Sequence, residues 1–320
     1  MAARTLQITV ALALAAINFA GELNVEWRER AAMPLPRAGY MAGTDGRRLL
    51  LAGGSYWEAG RKIWSDRADW YDPATDRWQP AASLPAPLSD AAFASFEGGI
   101  YIFGGGETGH VRRDALVLRD GTWHALPAWS LPAARLYAAA AVLSDRIYVV
   151  GGLPASGDYA GATATVWSRP LRGNAGWRVD AEIPGPRRVH FALATHGGRL
   201  YLFGGMTQRS GELVNLSDAD EYDPAIDRWR VLSDAPIACR AWWAVPWQNR
   251  ILLLGGYTDR FVGDIYSFDP RSGRYTHFGT LPRPVADARF VVAAKQILTA
   301  GGESGPKIRA PWTWVGLAVP

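Results

Sequence analysis

Arginines recur near one position of a repeated segment, and their side chains are the first candidates for ligand binding. Arg37, Arg135, Arg187, Arg188 and Arg240 each follow a repeated proline by three or four residues, and the last copy has Arg289 close by. A guanidinium group binds a carboxylate through two parallel hydrogen bonds. Converging arginines would therefore form a site for an acidic ligand. The alternative is a structural role, because a buried arginine needs carbonyl or carboxylate partners.

A second candidate is the segment from Gly53 to Asp66, which contains Trp57, Glu58 and Lys62. An aromatic ring beside charged groups can hold a sugar by stacking and by directed hydrogen bonds. Trp57 does not fall on the repeated tryptophan position, so the repeat does not require its side chain. We therefore predict that these three side chains contact a ligand.

Six Gly-Gly doublets punctuate the chain at intervals of 46 to 53 residues. They begin at Gly53, Gly104, Gly151, Gly204, Gly255 and Gly301. A short apolar segment precedes each doublet and predicts a buried β-strand. Aromatic pairs such as Tyr71 and Trp78 flank Asp- and Pro-containing turns and predict hairpins. A period near 50 residues is typical of propeller blades.

The prolines keep the repeats in register. Each lies 19 or 20 residues before a doublet, and in five copies it lies seven residues after an aromatic residue. Only the step from Trp123 to Pro132 is longer, by two residues. The predicted blades are residues 35–85, 86–132, 133–184, 185–236, 237–282, and 283–320 together with 24–34. The last blade lacks a fourth strand, so we predict that Val25 to Arg30 supplies it and closes the ring.

The doublet, the aromatic pair and the hairpin between them resemble the kelch family of repeats, over about residues 24 to 320. The resemblance implies an all-β fold, a six-bladed kelch-type β-propeller of the galactose oxidase-like superfamily. With four antiparallel strands in a blade, the loops between second and third strands emerge on the same face as the connections between blades. We expect function on that face, because loops on a rigid scaffold usually carry it.

The Gly53 to Asp66 segment is also similar to the first-blade loop of bacterial N-acetylneuraminate epimerases (sialate mutarotases), in the order of its glycine pair, Trp, Gly, Lys and Asp. That resemblance implies anomer exchange of a sialic acid by acid and base groups, with no metal and no cofactor. Under it, Glu212 and His190 are the predicted catalytic residues. The predicted substrate-binding residues are Arg37, Trp57, Glu58, Lys62, Arg135, Arg188, Arg240 and Arg289.

Two other classes of function are alternatives to anomer exchange. A non-catalytic propeller could hold an acidic glycan or a protein partner on the same face, because one fold supports both. A copper radical oxidase of the galactose oxidase kind needs a Tyr cross-linked to Cys and histidine ligands to copper. Here Cys239 is the only cysteine and the five histidines are scattered, so this class is disfavoured.

Composition limits the remaining classes. The 320 residues are 48% hydrophobic and carry a net charge of +4 without a basic cluster, which gives no indication of a nucleic-acid partner. Arg4, an apolar run from Ile8 to Ile17, and Ala20 predict a secretory signal peptide over residues 1–20; the alternative is a buried N-terminal helix. The predicted mature protein is one monomeric propeller, residues 21–320, in the periplasm or outside the cell, with no further membrane span.

Overall fold

The computed structural model describes residues 24–319, which form six antiparallel sheets of four strands each. The first strands of neighbouring sheets contact one another in a closed ring, so the sheets are the blades of a propeller. The predicted all-β, six-bladed propeller is confirmed. The predicted signal peptide lies outside the described residues.

Each blade has a first strand at the central axis and a fourth strand at the outer edge. The first strands are Met41–Thr44, Ala92–Phe96, Ala139–Leu143, Ala192–His196, Trp243–Trp247 and Arg289–Ala293. The second strands are Leu49–Ala52, Gly99–Phe103, Arg146–Val150, Arg199–Phe203, Arg250–Leu254 and Gln296–Ala300. The third strands are Ala68–Asp72, Ala115–Arg119, Val166–Pro170, Ala219–Asp223, Asp264–Asp269 and Thr313–Val319. The fourth strands are Arg77–Pro80, Thr122–Ala125, Arg178–Asp180, Arg228–Val231, Arg274–Thr280 and Asn24–Glu29.

The hydrophobic core lies between blades rather than at one centre. Six clusters of buried side chains each fill the space between two adjacent blades. Leu49, Leu50 and Leu51 of one second strand are fully buried, because alternate side chains reach the blades on either side. This two-sided burial explains why the segments before the doublets are continuously apolar.

The second glycine of five doublets donates its N–H to a carbonyl oxygen in the connection to the next blade. The Gly54 N–H donates to the carbonyl oxygen of Leu88, at 2.8 Å, in the connection to blade two. A Cβ at Gly53 would lie only 2.2 Å from the same oxygen, and Gly53 has φ +68°. A side chain cannot be accommodated there, so glycine is required.

The repeated tryptophans of the fourth strands are structural. Their indole N–H groups donate to carbonyl oxygens of the connection that leaves the preceding blade, at 2.8 to 3.1 Å. The donors are Trp78, Trp123, Trp177 and Trp229, and the acceptors are Ala31, Ala82, Trp129 and Ala181. These bonds fix the outer edge of one blade to its neighbour.

The ring is closed as predicted. Asn24–Glu29 pairs with Thr313–Val319 as the fourth strand of blade six, with Trp27 opposite Gly316. The first and last described strands therefore lie in one sheet, which removes an exposed edge from the third strand of that blade.

Short hairpins follow the doublets in four blades and rise on one side of the propeller, here called the hairpin face. The hairpin strands are Ser55–Glu58 with Arg61–Trp64, Gly106–Glu107 with His110–Val111, Met206–Arg209 with Glu212–Asn215, and Glu303–Gly305 with Ile308–Arg309. Blade three has the 3₁₀ turn Tyr159–Gly161 at this place, and a second 3₁₀ turn, Pro127–Trp129, follows blade two. Within residues 24–319, no helix has the length and apolar character needed to cross a membrane.

Candidate functional site

A cavity of about 400 Å³ opens at the centre of the hairpin face. Residues from all six blades line it, which places the cavity on the propeller axis. Its volume lies in the range typical of small-ligand sites. The cavity is therefore the candidate functional site.

The floor of the cavity is formed by one residue from each connection between blades. Each has a left-handed backbone, with φ between +53° and +66°. They are Gly39, Asp90, Tyr137, His190, Ala241 and Asp287. Such a conformation costs roughly 1 kcal/mol or more for a residue other than glycine. Backbone bonds between blades hold it: the Asp90 N–H donates to the Gly39 oxygen at 2.7 Å, and the Tyr137 N–H donates to the Asp90 oxygen at 2.9 Å.

Gly39 leaves room for a carboxylate on this floor. A Cβ at Gly39 would lie 2.6 Å from Oδ1 of Asp90. The Ser89 hydroxyl donates to Oδ2 of the same carboxylate at 2.8 Å. The Asp90 carboxylate is therefore held over Gly39. Asp287 of blade six, which precedes blade one in the ring, also lines the cavity.

Burial changes the acid–base behaviour of the floor. Burial, followed by the charge of Asp287, raises the pKa of Asp90 to about 6. Burial lowers the pKa of His190 to about 4, so its imidazole is neutral at pH 7. The charge of Asp90 and burial raise the pKa of the Tyr137 hydroxyl. The floor thus holds, in one ring of residues, a carboxyl group whose pKa burial raises and a neutral imidazole.

Two of the cations at the cavity are paired with carboxylates. Arg289 Nη1 lies 2.8 Å from Asp287 Oδ1. Arg309 forms an ion pair with Glu303 and also donates from Nε to the Ser55 carbonyl at 3.0 Å. These pairs neutralise the charge of both guanidinium groups.

The other two cations, Lys62 and Arg240, form no ion pair with a carboxylate among residues 24–319, although the charge of Lys62 acts on Asp90 and opposes the rise in the pKa of that carboxyl group. Arg240 Nη1 donates to Asn215 Oδ1 at 2.8 Å, and its guanidinium carbon lies 4.6 Å from the centroid of the Tyr257 ring. Lys62 Nζ lies 5.0 Å from the centroid of Trp64. Both charges remain available to an anionic ligand, and the Arg240 fork is already oriented.

The cavity ends blindly on the axis. Phe93 and Trp243 belong to opposite blades and stack with their ring centroids 5.4 Å apart and an interplanar angle of 4°. The Arg289 guanidinium covers Trp243 at 5.0 Å. Only about 40 Å³ remains between this stack and the floor residues. A ligand therefore has to enter and leave through the hairpin face.

The predicted site residues divide by position. His190, Lys62 and Arg240 line the cavity, and Arg289 lies directly below its floor. The three equivalent arginines Arg37, Arg135 and Arg188 do not line it: each is buried within or beside a blade. Their predicted contacts with substrate are untested and stay predictions.

These buried arginines already have partners of their own. Arg37 Nη2 lies 3.0 Å from Asp69 Oδ2 and donates to the Leu51 carbonyl at 3.1 Å. Arg188 Nη2 lies 3.2 Å from Asp220 Oδ2. Arg135 donates to the carbonyl of Ala134 at 2.8 Å and its guanidinium lies over Trp167. These contacts match the structural role that the sequence analysis gave as the alternative to ligand binding.

The remaining predicted residues lie on the hairpins above the cavity. Glu58 and Glu212 are exposed, and neither lines the cavity. Trp57 is half-buried, and Lys307 Nζ lies 4.7 Å from the centroid of its ring. The structure therefore does not bring Glu212 and His190 together in one cavity wall.

Several cavity residues were not predicted from the sequence. Tyr137 and Asp287 stand five residues after a blade proline, as do Gly39, Asp90 and Ala241, so the proline register could have identified the floor. Tyr257 directly follows a glycine doublet, as do the cavity residues Ser55, Met206 and Glu303, so the doublet register could have identified it as well. Tyr159 and Arg309 lie farther along loops of differing length, for which the repeat offers no register. Within the described part of the chain no cluster of three His, Cys, Asp or Glu side chains is arranged to hold a metal ion.

Comparison with known proteins supports a kelch-repeat assignment. The sequence profile of the kelch motif matches residues 187–236, which correspond closely to blade four. The chain is 28% identical to Kelch-like protein 35 of Mus musculus over 239 residues, and 27% identical to Beta-scruin of Limulus polyphemus over 225 residues. It is also 28% identical to Kelch-like protein terF of Aspergillus terreus over 247 residues.

These alignments cover 73%, 67% and 72% of this chain but only 38%, 23% and 52% of the respective relatives. The chain thus spans about a quarter to half of the length of the proteins it matches. The matches support the kelch repeat, and they give no support to the narrower resemblance to sialate mutarotases.

Proposed function

We propose that this kelch propeller is a non-catalytic binding module, and that its central cavity holds an acidic group of a protein partner. One observation carries the proposal: Arg240 and Lys62 face the cavity and form no ion pair with a carboxylate in the described chain. Partly desolvated cations of this kind gain a charge-assisted hydrogen bond when a carboxylate arrives.

The geometry around Arg240 supports recognition of a carboxylate. Asn215 accepts a hydrogen bond from Nη1, and the Tyr257 ring supports one face of the guanidinium group. The side chain is therefore ordered before the ligand binds, which reduces the entropy lost on binding.

A protein partner fits the rim of the cavity better than a glycan. Leu213 and Ile308 are 45% and 57% exposed on the hairpins of blades four and six. Exposed aliphatic side chains suit contact with apolar side chains of a protein. Cations already cover one face of the Trp57 and Tyr257 rings, which reduces the area on which a sugar could stack. The similarity to kelch-like proteins and to Beta-scruin points the same way.

The proposal can be tested by NMR titration with two short peptides. The acidic probe is acetylated and amidated Gly-Ser-Glu-Gly-Ser-Gly, and its control carries Gln in place of Glu. We expect the Glu peptide to shift the Arg240 side-chain Nε–H resonance in a saturable manner, and the Gln peptide to have little effect. Saturable shifts with both peptides, or with neither, would contradict recognition of an acidic group.

A second candidate function is anomer exchange of a sugar acid such as N-acetylneuraminate. The observation that favours it is the floor pair: Asp90, with its pKa raised to about 6, and neutral His190 line one cavity. An acid and a base of this kind are what ring opening needs. We infer that, if this chemistry occurs, Asp90 rather than the exposed Glu212 transfers the proton.

Proton NMR of freshly dissolved N-acetylneuraminate measures this exchange directly. Catalysis predicts a faster approach to the anomeric equilibrium that saturates with substrate. It also predicts a loss of about 100-fold in Asp90→Asn and little loss in Glu212→Gln. A rate equal to that of the uncatalysed reaction would leave binding as the function of the cavity.

Export remains a further proposal, supported by Arg4 and the apolar run from Ile8 to Ile17. N-terminal sequencing of the protein purified from its native cell tests it. Cleavage near Ala20 is the expected result, and an intact Met1 would contradict export through this signal.

A further inference from the structure

A groove next to blade two lies beside the cavity and has no assigned role. Its volume is about 270 Å³, and most of its lining is apolar. Ala86 and Leu88 of the blade connection form one side, and Ala125, Leu126 and Pro127 of the fourth strand and the following turn form the other. Arg112 and Asp114 add charged groups to the lining.

The groove coincides with the one lengthened step from blade aromatic to proline within residues 24–319. The two additional residues between Trp123 and Pro132 accompany the 3₁₀ turn Pro127–Trp129. Leu126 and Pro127 line the groove, and Ser130 completes its wall after the turn. The extension thus places three groove residues where the other blades have a shorter connection.

The turn is fixed from behind, so the groove is preformed. The Trp129 ring packs against Tyr101, with the ring centroids 5.6 Å apart, and the Arg169 guanidinium lies 3.9 Å from the Trp129 centroid. Arg169 also donates to the carbonyl of Ala128 at 2.6 Å. The Trp129 side chain is held on the side of blade three and leaves the groove unfilled.

The groove and the central cavity share one segment of chain. Leu88 lines the groove and Asp90 lines the cavity, so the two linings are separated by two residues, at most about 7 Å of backbone. The hairpin of blade two has strands of only two residues, Gly106–Glu107 and His110–Val111. Of the hairpins in residues 24–319, it alone contributes no residue to the cavity wall. On the side of blade two, next to the groove, the cavity wall therefore has no hairpin residue.

We propose that the groove is a second subsite of the same binding face, which takes an apolar side chain of an extended partner segment whose acidic residue occupies the cavity. This inference rests on the proposed function, because the charge of Lys62 and Arg240 determines where the acidic residue binds. An extended chain advances about 3.3 to 3.6 Å per residue. The apolar and acidic residues of the partner are then two to four positions apart.

The test uses twelve-residue peptides of Gly and Ser that carry one Glu, with one Leu placed one to five positions before or after it. The Glu peptide without Leu is the reference. We expect Leu to increase the affinity measured by NMR titration about tenfold at separations of two to four on one side of Glu, and much less at the other positions. Equal affinity at every Leu position would contradict the inference.

Two variants assign that gain to the groove. Ala86→Trp and Ala125→Trp each place a bulky ring in the groove. Ala86 is half-buried and Ala125 is exposed. Both variants should abolish the effect of Leu while the reference peptide binds as before. Ala128→Trp is the matched control, since Ala128 is exposed on the same turn and does not line the groove.

A gain in affinity from Leu that persists in both filled variants overturns the inference. Failure of the reference peptide itself to bind overturns instead the proposed function on which it rests.

Discussion

A shift of one residue decides the role of an arginine in this repeat. Arg188 is the equivalent of Cys239, whereas Arg240 follows Cys239 and is the equivalent of Val189. Arg188 is buried against Asp220, and Arg240 faces the cavity. Alternate residues of an extended segment point in opposite directions, so adjacent positions meet different surroundings.

The two arginines should therefore respond differently to the same substitution. Arg188→Met leaves Asp220 buried without its partner, and we expect the free energy of unfolding to fall by about 3 to 5 kcal/mol. Arg240→Met removes a cavity charge and should change it by less than about 1 kcal/mol. Urea denaturation of both variants measures the difference. A similar loss of stability in the two would show that Arg240 is also structural.

Because the pKa of Asp90 is raised, the affinity of the cavity for an acidic ligand should depend on pH. Above its pKa of about 6 Asp90 is an anion and repels an acidic ligand; below it the group becomes neutral. A glutamate on the ligand stays ionised at pH 5.5, and His190, with its pKa of about 4, stays neutral. We expect affinity for the Glu peptide to rise about threefold to tenfold from pH 7.5 to pH 5.5.

Asp90→Asn is the control for this assignment. It should bind the Glu peptide more tightly than the wild type at pH 7.5 and show little change down to pH 5.5. An unaltered pH profile in this variant would place the titrating group elsewhere.

The hairpin of blade four positions Arg240, the cation that blade five contributes to the cavity. Asn215 accepts from Arg240 Nη1 and donates from Nδ2 to the carbonyl of Thr258 at 2.8 Å. The hairpin, the loop of blade five and the guanidinium group are thus held in one network.

Removal of this link should weaken binding without unfolding the blade. Asn215→Ala is expected to lower affinity for the Glu peptide about fivefold to tenfold, because about 1 kcal/mol of orienting hydrogen bonds is lost. Arg209→Ala is the matched control, since it removes an exposed charge from the same hairpin outside the cavity. Equal losses in the two variants would point to a general disturbance of the hairpin rather than to loss of the orientation of Arg240.

The repeat period predicts contacts that every copy makes, and it gives no indication of a contact that is made only once. Gly53 and Trp78 stand at repeated spacings because each makes a contact between blades that every copy needs. The approach of Arg240 to Asn215 joins loops of two blades with unrelated sequences, so no period within the chain indicates it. Trp57 was expected to contact a ligand; its ring lies beside Lys307 in the hairpin of blade six, and the ligand contact stays a prediction.

At the scale of the molecule, one strand pairing closes the ring. Asn24–Glu29 covers the edge of Thr313–Val319, which would otherwise offer unpaired backbone groups. Deletion of residues 1–30 is expected to cause association of the protein and to lower its thermal midpoint. Light scattering and thermal unfolding measure both, with a chain that begins at Asn24 as the control. A monomeric deletion variant with an unchanged midpoint would show that this strand is dispensable.

Recognition of a carboxylate by the two cavity cations is tested by titrating wild type, Lys62→Ala, Arg240→Ala and the double variant with the Glu peptide and with the uncharged Gln peptide. We predict saturable binding of the Glu peptide that weakens in each single variant and disappears in the double variant, while unfolding midpoints stay the same. Binding that survives the loss of both cations, or that is equally tight for the Gln peptide, would show that these cations do not recognise an acidic group.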